Sequence, residues 1–96
     1  MKVIISDVAE AEIFEIHTYL YVSFGERIAD EKLLGIKKDI DLIGEHPFIG
    51  RSVDGHDQNF RQFYSKPNII IYDIEDGVVE ILHVVDARTD YISRLL

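Results

Sequence analysis

Cysteine is absent from the 96 residues, which excludes disulfides and thiolate metal sites. Long apolar runs are missing as well. The stretch Met1-Lys2-Val3-Ile4-Ile5-Ser6-Asp7 holds three apolar residues after Lys2 before polar ones resume, too few for the core of a signal peptide. Nothing approaches the length of a membrane-spanning helix, so a soluble, cytoplasmic protein without membrane contact is expected.

Basic charge is scarce: ten Lys and Arg stand against 18 Asp and Glu, a net charge of −8. The first 48 residues carry ten acids and five bases, the remainder eight and five. A protein that grips nucleic acid through its phosphates needs a basic surface, because counterion release supplies most of that affinity. Direct nucleic-acid binding is therefore not expected. There is no P-loop, dinucleotide fingerprint or serine–histidine–acid arrangement, and no cofactor is expected. His17, His46 and His56 share no ligand spacing, and no metal site is expected.

What is present suffices for one domain spanning residues 1–96, with 47% hydrophobic residues including five Tyr and five Phe. Lys2 to Ser6 reads as a short strand. Asp7-Val8-Ala9-Glu10 fits a capping box, followed by an apolar stripe of Ala9, Ile13, Ile16 and Leu20 at helical spacing. A second box, Ser23-Phe24-Gly25-Glu26, opens a helix whose stripe is Ala29, Leu33, Ile36, Ile40 and Ile43. Gly44 and Pro47 stop it. So short a connection folds the two helices into an antiparallel hairpin.

Phe48 to Gln58 is polar and rich in Gly and Asp, and reads as a loop. Three strands follow: Asn59 to Tyr64, Ile69 to Ile74, and Val78 to Val85. Asp76-Gly77 is a two-residue hairpin signal. Ala87 to Leu96 is expected to form a short terminal helix. The order β-α-α-β-β-β predicts an α+β fold with the helical hairpin packed on one face of a twisted antiparallel sheet.

That order and four local patterns resemble the RelE/ParE superfamily of bacterial type II toxins, ParE most closely. The first is Pro47-Phe48-Ile49-Gly50-Arg51 after the second helix. The others are Arg61-Gln62-Phe63, then Ile69-Ile70-Ile71-Tyr72, then Val79 to Asp90 with Arg88 and Asp90 at its end. Asp86 and His83 depart from the ParE pattern, where many relatives carry histidine and arginine. The resemblance implies the toxin of a type II toxin–antitoxin, or plasmid stabilisation, system. Such a toxin binds DNA gyrase and is silenced by a cognate antitoxin in a hetero-oligomer. The partner-binding residues it points to are Arg51, Arg61, Phe63, Tyr72, Arg88, Asp90 and Tyr91.

Two other readings stay open. RelE-like relatives cleave messenger RNA on the ribosome, which needs a base, cations for the phosphorane charge and an acid. Arg61, Arg88 and Tyr91 would be that catalytic set. Phe63 and Ile69, however, occupy places where RelE-like proteins carry cations, so an incomplete set favours a protein that is not an enzyme. A degenerate toxin keeping only antitoxin binding is the third reading. Each singled-out residue also has a plain structural role to weigh. Arg88 can pair with Asp86 or Asp90, Arg51 can neutralise nearby acids, and Arg61 can lie along the sheet. Tyr72, Tyr91 and His83 can simply pack.

Overall fold

The computed structural model describes residues 1–88 and keeps the expected order of elements, with one short strand added. The elements are β1 (Lys2–Ile5), α1 (Asp7–Phe24), α2 (Glu26–Glu45), β2 (Arg51–Ser52), β3 (Phe60–Ser65), β4 (Asn68–Glu75) and β5 (Val78–Asp86). Of the expected terminal helix, Ala87 and Arg88 form a turn, and the rest lies outside the described residues.

Both helix starts fall beside the expected caps. Ser6, not Asp7, caps α1: its extended backbone leaves Oγ free to accept from the Ala9 N–H at 3.0 Å. Asp7 becomes the first helical residue, where its negative charge suits the helix dipole. Ser23 caps nothing, because α1 runs on to Phe24. Gly25 makes the break instead, with a φ of 95° that side-chain-bearing residues rarely adopt. Its N–H closes α1 on the Tyr21 carbonyl at 3.0 Å and its own carbonyl accepts from Ala29.

The strands form one sheet in the order β1-β5-β4-β3-β2. β2 pairs with β3, β3 with β4 and β4 with β5, all antiparallel. β1 pairs with β5 in parallel, Lys2 opposite Val78 through Ile5 opposite Ile81. The sheet is thus mixed rather than wholly antiparallel. Short turns force the last strands to alternate, but the helical hairpin is long enough to return the chain in either direction. Asp76-Gly77 closes the β4–β5 hairpin with φ of 52° and 76°, as the sequence predicts. β2 is the two-residue exception inside the stretch expected to be loop.

The core joins Ile70, Tyr72 and Ile74 of β4 and Val79, Ile81 and Val84 of β5 to Ile36, Ile40 and Ile43 of α2 and Ala9 of α1. Full burial of each such Ile or Val contributes about 1.5–3 kcal/mol. The α2 stripe seats as expected except for Leu33, which stays exposed. In α1 only Ala9 is fully buried, while Ile13, Ile16 and Leu20 are half-buried.

Ile71 faces His83 and Tyr72 faces Ile81, so Leu82 is an extra residue on β5. Beyond it β5 outruns β1, and α1 covers the freed edge. The Ser6 hydroxyl donates to the Leu82 carbonyl at 3.1 Å, and the Val84 N–H donates to Glu12 Oε1 at 3.1 Å. Among the described residues, no helix is long and apolar enough to cross a membrane.

Candidate functional site

Four of the residues singled out in the sequence, Arg51, Arg61, Phe63 and Tyr72, meet where the segment after α2 rejoins the sheet. Tyr72 lies in the middle of β4, wholly buried. Its hydroxyl accepts from the Gly50 N–H at 3.0 Å and donates to the Pro47 carbonyl at 2.6 Å. Burial raises its pKa, opposed by the Gly50 bond and by the charge of Arg61. Gly50 is required by proximity: a Cβ there would lie 2.6 Å from both the Tyr72 hydroxyl and the Gln62 carbonyl oxygen. Tyr72, expected among the partner-binding residues, is thus enclosed beneath the Pro47–Gly50 segment.

Arg61 is opposite Tyr72 on β3. Its guanidinium donates to the Gly50 carbonyl at 2.6 Å and the Phe48 carbonyl at 3.4 Å, and sits 4.8 Å from the Phe48 ring centre. The charge expected to face a partner thus fastens the Phe48–Gly50 segment to the sheet. Phe63, next on the same face, packs against the core. Arg61 and Tyr72 thus bind the segment after α2, and Phe63 packs beneath.

In front of these supports lies a shallow hollow of about 610 Å³, walled by Ile49, Gly50, Arg51, Gln62, Phe63, Tyr64, Ile69 and Ala87. Ile49 and Tyr64 are exposed at its rim. Arg51 opposes Gln62 across the β2–β3 ladder. Turned so that its oxygen faces the guanidinium, the Gln62 amide accepts from Arg51 at 2.9 and 3.1 Å. Arg51 is the only cation lining the hollow among the described residues.

Arg88 lines a different groove, of about 640 Å³, between α1, α2 and the end of β5. It is pinned by its neighbour: its Nη2 donates to Asp86 Oδ2 at 2.7 Å and its backbone N–H to Asp86 Oδ1 at 2.8 Å. The Arg88 side-chain and backbone donors hold the Asp86 carboxyl down to about 2, and the carboxylate in turn raises the Arg88 pKa. Asp90 and Tyr91 lie outside the described residues. His83 is the satisfied strand histidine that its position suggested, with Nδ1 3.2 Å from Glu12.

Sequence reasoning missed two features. Tyr64 presents an exposed ring beside the hollow, and the two-residue strand period was its signal, since Phe63 points inward. The second is a clamp from α2. Lys32 Nζ donates to the Lys66 carbonyl at 2.7 Å, and the Ser65 hydroxyl donates to Asp39. Burial lowers the Lys32 pKa, against the pull of Asp39. Nothing in the spacing of Lys32 and Asp39 announced a turn 33 residues away.

Chemically, the hollow offers apolar walls, one guanidinium and an exposed phenol. Arg61 is occupied by two carbonyls and Arg88 by a carboxylate. That is poor equipment for a phosphorane, whose two charged non-bridging oxygens call for unoccupied cations. It suits a protein interface, in which Arg and Tyr are enriched relative to the rest of the surface.

A family model described as the ParE toxin of type II toxin–antitoxin system, parDE, matches residues 3–91. No curated protein matches the sequence. Among solved structures, the chain resembles one titled the chromosomal ParDE TA system from P. aeruginosa, with a TM-score of 0.78 at 15% identity. That likeness, which concerns the fold, covers 90% of this chain and 95% of the other.

Proposed function

Because the chain belongs to the ParE toxin family of type II toxin–antitoxin systems, we propose that it acts in the cytoplasm by binding DNA gyrase and is neutralised by a cognate antitoxin. The observation that carries this reading is the state of the cations. Arg61 is folded onto the Phe48 and Gly50 carbonyls. Phe63 and Ile69 are apolar where RNA-cleaving relatives carry charge, and Phe63 packs on the core. A surface so composed supports protein contact rather than RNA cleavage.

On this reading Arg51, Ile49 and Tyr64 make the first contacts, joined by Arg88, Asp90 and Tyr91. Arg61, Phe63 and Tyr72 hold the Pro47–Arg51 segment in position. The test is induction of this gene alone in a bacterial host, with thymidine and methionine incorporation followed over the next minutes. Thymidine uptake is expected to fall first, and purified protein is expected to inhibit gyrase supercoiling. An early fall in methionine uptake with thymidine unaffected would overturn the proposal in favour of ribosome-dependent cleavage.

A further inference from the structure

The stripe of α1 is left unfinished at one end. Ile16 and Leu20 continue the register of the buried Ala9, yet both are only half-buried. With Ile28 of α2 and Val84 and Val85 of β5 they wall the groove on which Arg88 lies. Tyr19 and Ile28, also on that groove, are 65% and 38% exposed. An apolar stripe at helical spacing packs along its length, so the groove is short of a cover. Phe14, 70% exposed, belongs to the other side of α1, next to β1.

The groove also holds a polar group without an answer. Asn68 is 5% exposed, and its amide nitrogen donates to the Val85 carbonyl at 3.3 Å. Its Oδ1 is buried and has no hydrogen-bond partner among the described residues, and a buried acceptor calls for a donor. The charges lining the groove are largely engaged: Glu12 with His83 and the Val84 N–H, Lys32 with the Ser65 and Lys66 carbonyls, Asp86 with Arg88. Glu15 is the one charge there with no partner among the described residues. The cover therefore needs apolar side chains and one donor beside Asn68, not a block of charge.

The chain itself supplies such a segment. Thr89-Asp90-Tyr91-Ile92-Ser93-Arg94-Leu95-Leu96 continues from Arg88, which already stands on the groove wall. Asp86 Oδ1 accepts from the Arg88 N–H two residues on at 2.8 Å, the bond with which a capping carboxylate starts a helix. Carried on as a helix, the segment puts Ile92, Leu95 and Leu96 on one side and Asp90 and Arg94 on the other. Eight residues make about 12 Å of helix. Asn68 is the β4 partner of Asp86, so the N–H groups of the first turn, which a helix leaves unbonded, emerge beside its Oδ1. Asp90 and Arg94 cancel in charge, whereas a second copy of the chain would bring its net −8 against another −8.

We infer that residues 89–96 fold back as a helix into the groove between α1, α2 and the end of β5. Ile92, Leu95 and Leu96 lie against Ile16, Leu20 and Ile28, and a first-turn N–H donates to Asn68 Oδ1. The segment completes the α1 stripe and keeps Asp90 and Arg94 outward. The inference goes beyond the proposed function and does not depend on which partner the chain binds.

A chain without cysteine makes the test clean. In the full chain, Leu95→Cys is combined with Tyr19→Cys or Ile28→Cys at the groove, or with Tyr64→Cys at the hollow before the sheet. Ala87 lines that hollow and Arg88 the groove, so the segment departs beside both. Tyr19, Ile28 and Tyr64 are all exposed, so the substitutions spare the core. Under mild oxidation at least one groove pair is expected to close within the molecule about tenfold faster than the hollow pair, because a seated segment has the higher effective concentration. In the unsubstituted chain, the amides of residues 91–96 should exchange about tenfold slower than in an unstructured peptide of the same sequence. Ile92→Ser with Leu95→Ser should abolish that protection and leave the amides of β4 and β5 unchanged.

Closure of the hollow pair as fast as both groove pairs would overturn the inference, as would unprotected amides at 91–96 or protection that survives the double serine change. Disulfides that join two molecules in place of closing within one would also overturn it, in favour of another copy of the chain in the groove.

Discussion

Tyr72 shows how much one hydroxyl can organise. It satisfies a buried N–H and a carbonyl on the loop that shapes the hollow. Tyr72→Phe keeps the ring and strands both groups, so it should cost about 1–3 kcal/mol, seen as a lower urea midpoint at unchanged slope. Gly50→Ala pushes a methyl into the same hydroxyl, and the overpacking should cost about 1–3 kcal/mol. The Asp86–Arg88 pair makes a different prediction. Asp86 titrates at about 2 in the folded chain, below the ordinary carboxylate value near 3.9. Its contribution is therefore present above that ordinary value and is lost as pH falls toward 2. Carboxyl NMR should put the Asp86 midpoint near 2, and Arg88→Ala should return it toward the ordinary value. Because Arg88 is almost fully exposed, the same change should hardly move the melting temperature.

At the scale of elements, α1 substitutes for a missing strand. β1 covers only Val78 to Ile81 of β5, and Glu12 takes over the Val84 N–H beyond it. Glu12→Leu removes that acceptor and the partner of His83. It should cost about 1–2 kcal/mol and raise the hydrogen-exchange rate of the Val84 amide. Periodicity marked both helices and the last three strands to within a residue or two, because each buries one repeating stripe. It misplaced the helix starts, since Ser6 and Asp7 are equally good caps on paper and only the Leu82 carbonyl, brought up by the fold, draws Ser6 into place. It placed β1 in an antiparallel sheet, whereas the parallel pairing of β1 is set by contacts 76 residues away. In the site, Arg51, Arg61 and Tyr72 were legible as members of separate patterns, but neither their meeting nor their roles were. A sequence does not distinguish an arginine that faces solvent from one folded onto two carbonyls.

The whole molecule combines strong like charge with exposed apolar surface, and the two oppose each other. Repulsion among 18 acids keeps the outer faces of the hairpins of separate molecules apart at low salt. The screening length shrinks from about 10 Å at 0.1 M to about 3 Å at 1 M, which removes that protection while leaving the apolar attraction. Light scattering from the isolated chain should therefore rise with salt, and Phe14→Ser should blunt the rise. The parallel pairing of β1 with β5 has a consequence for the timing of synthesis. Ser6 must wait for Leu82, and at roughly 5–20 residues per second that wait lasts about 4–15 s. A half-made chain on the ribosome has no finished sheet, so the fold closes only after β5 has emerged. On the proposed function, those seconds are the interval in which antitoxin already made can be at hand when the last strand closes.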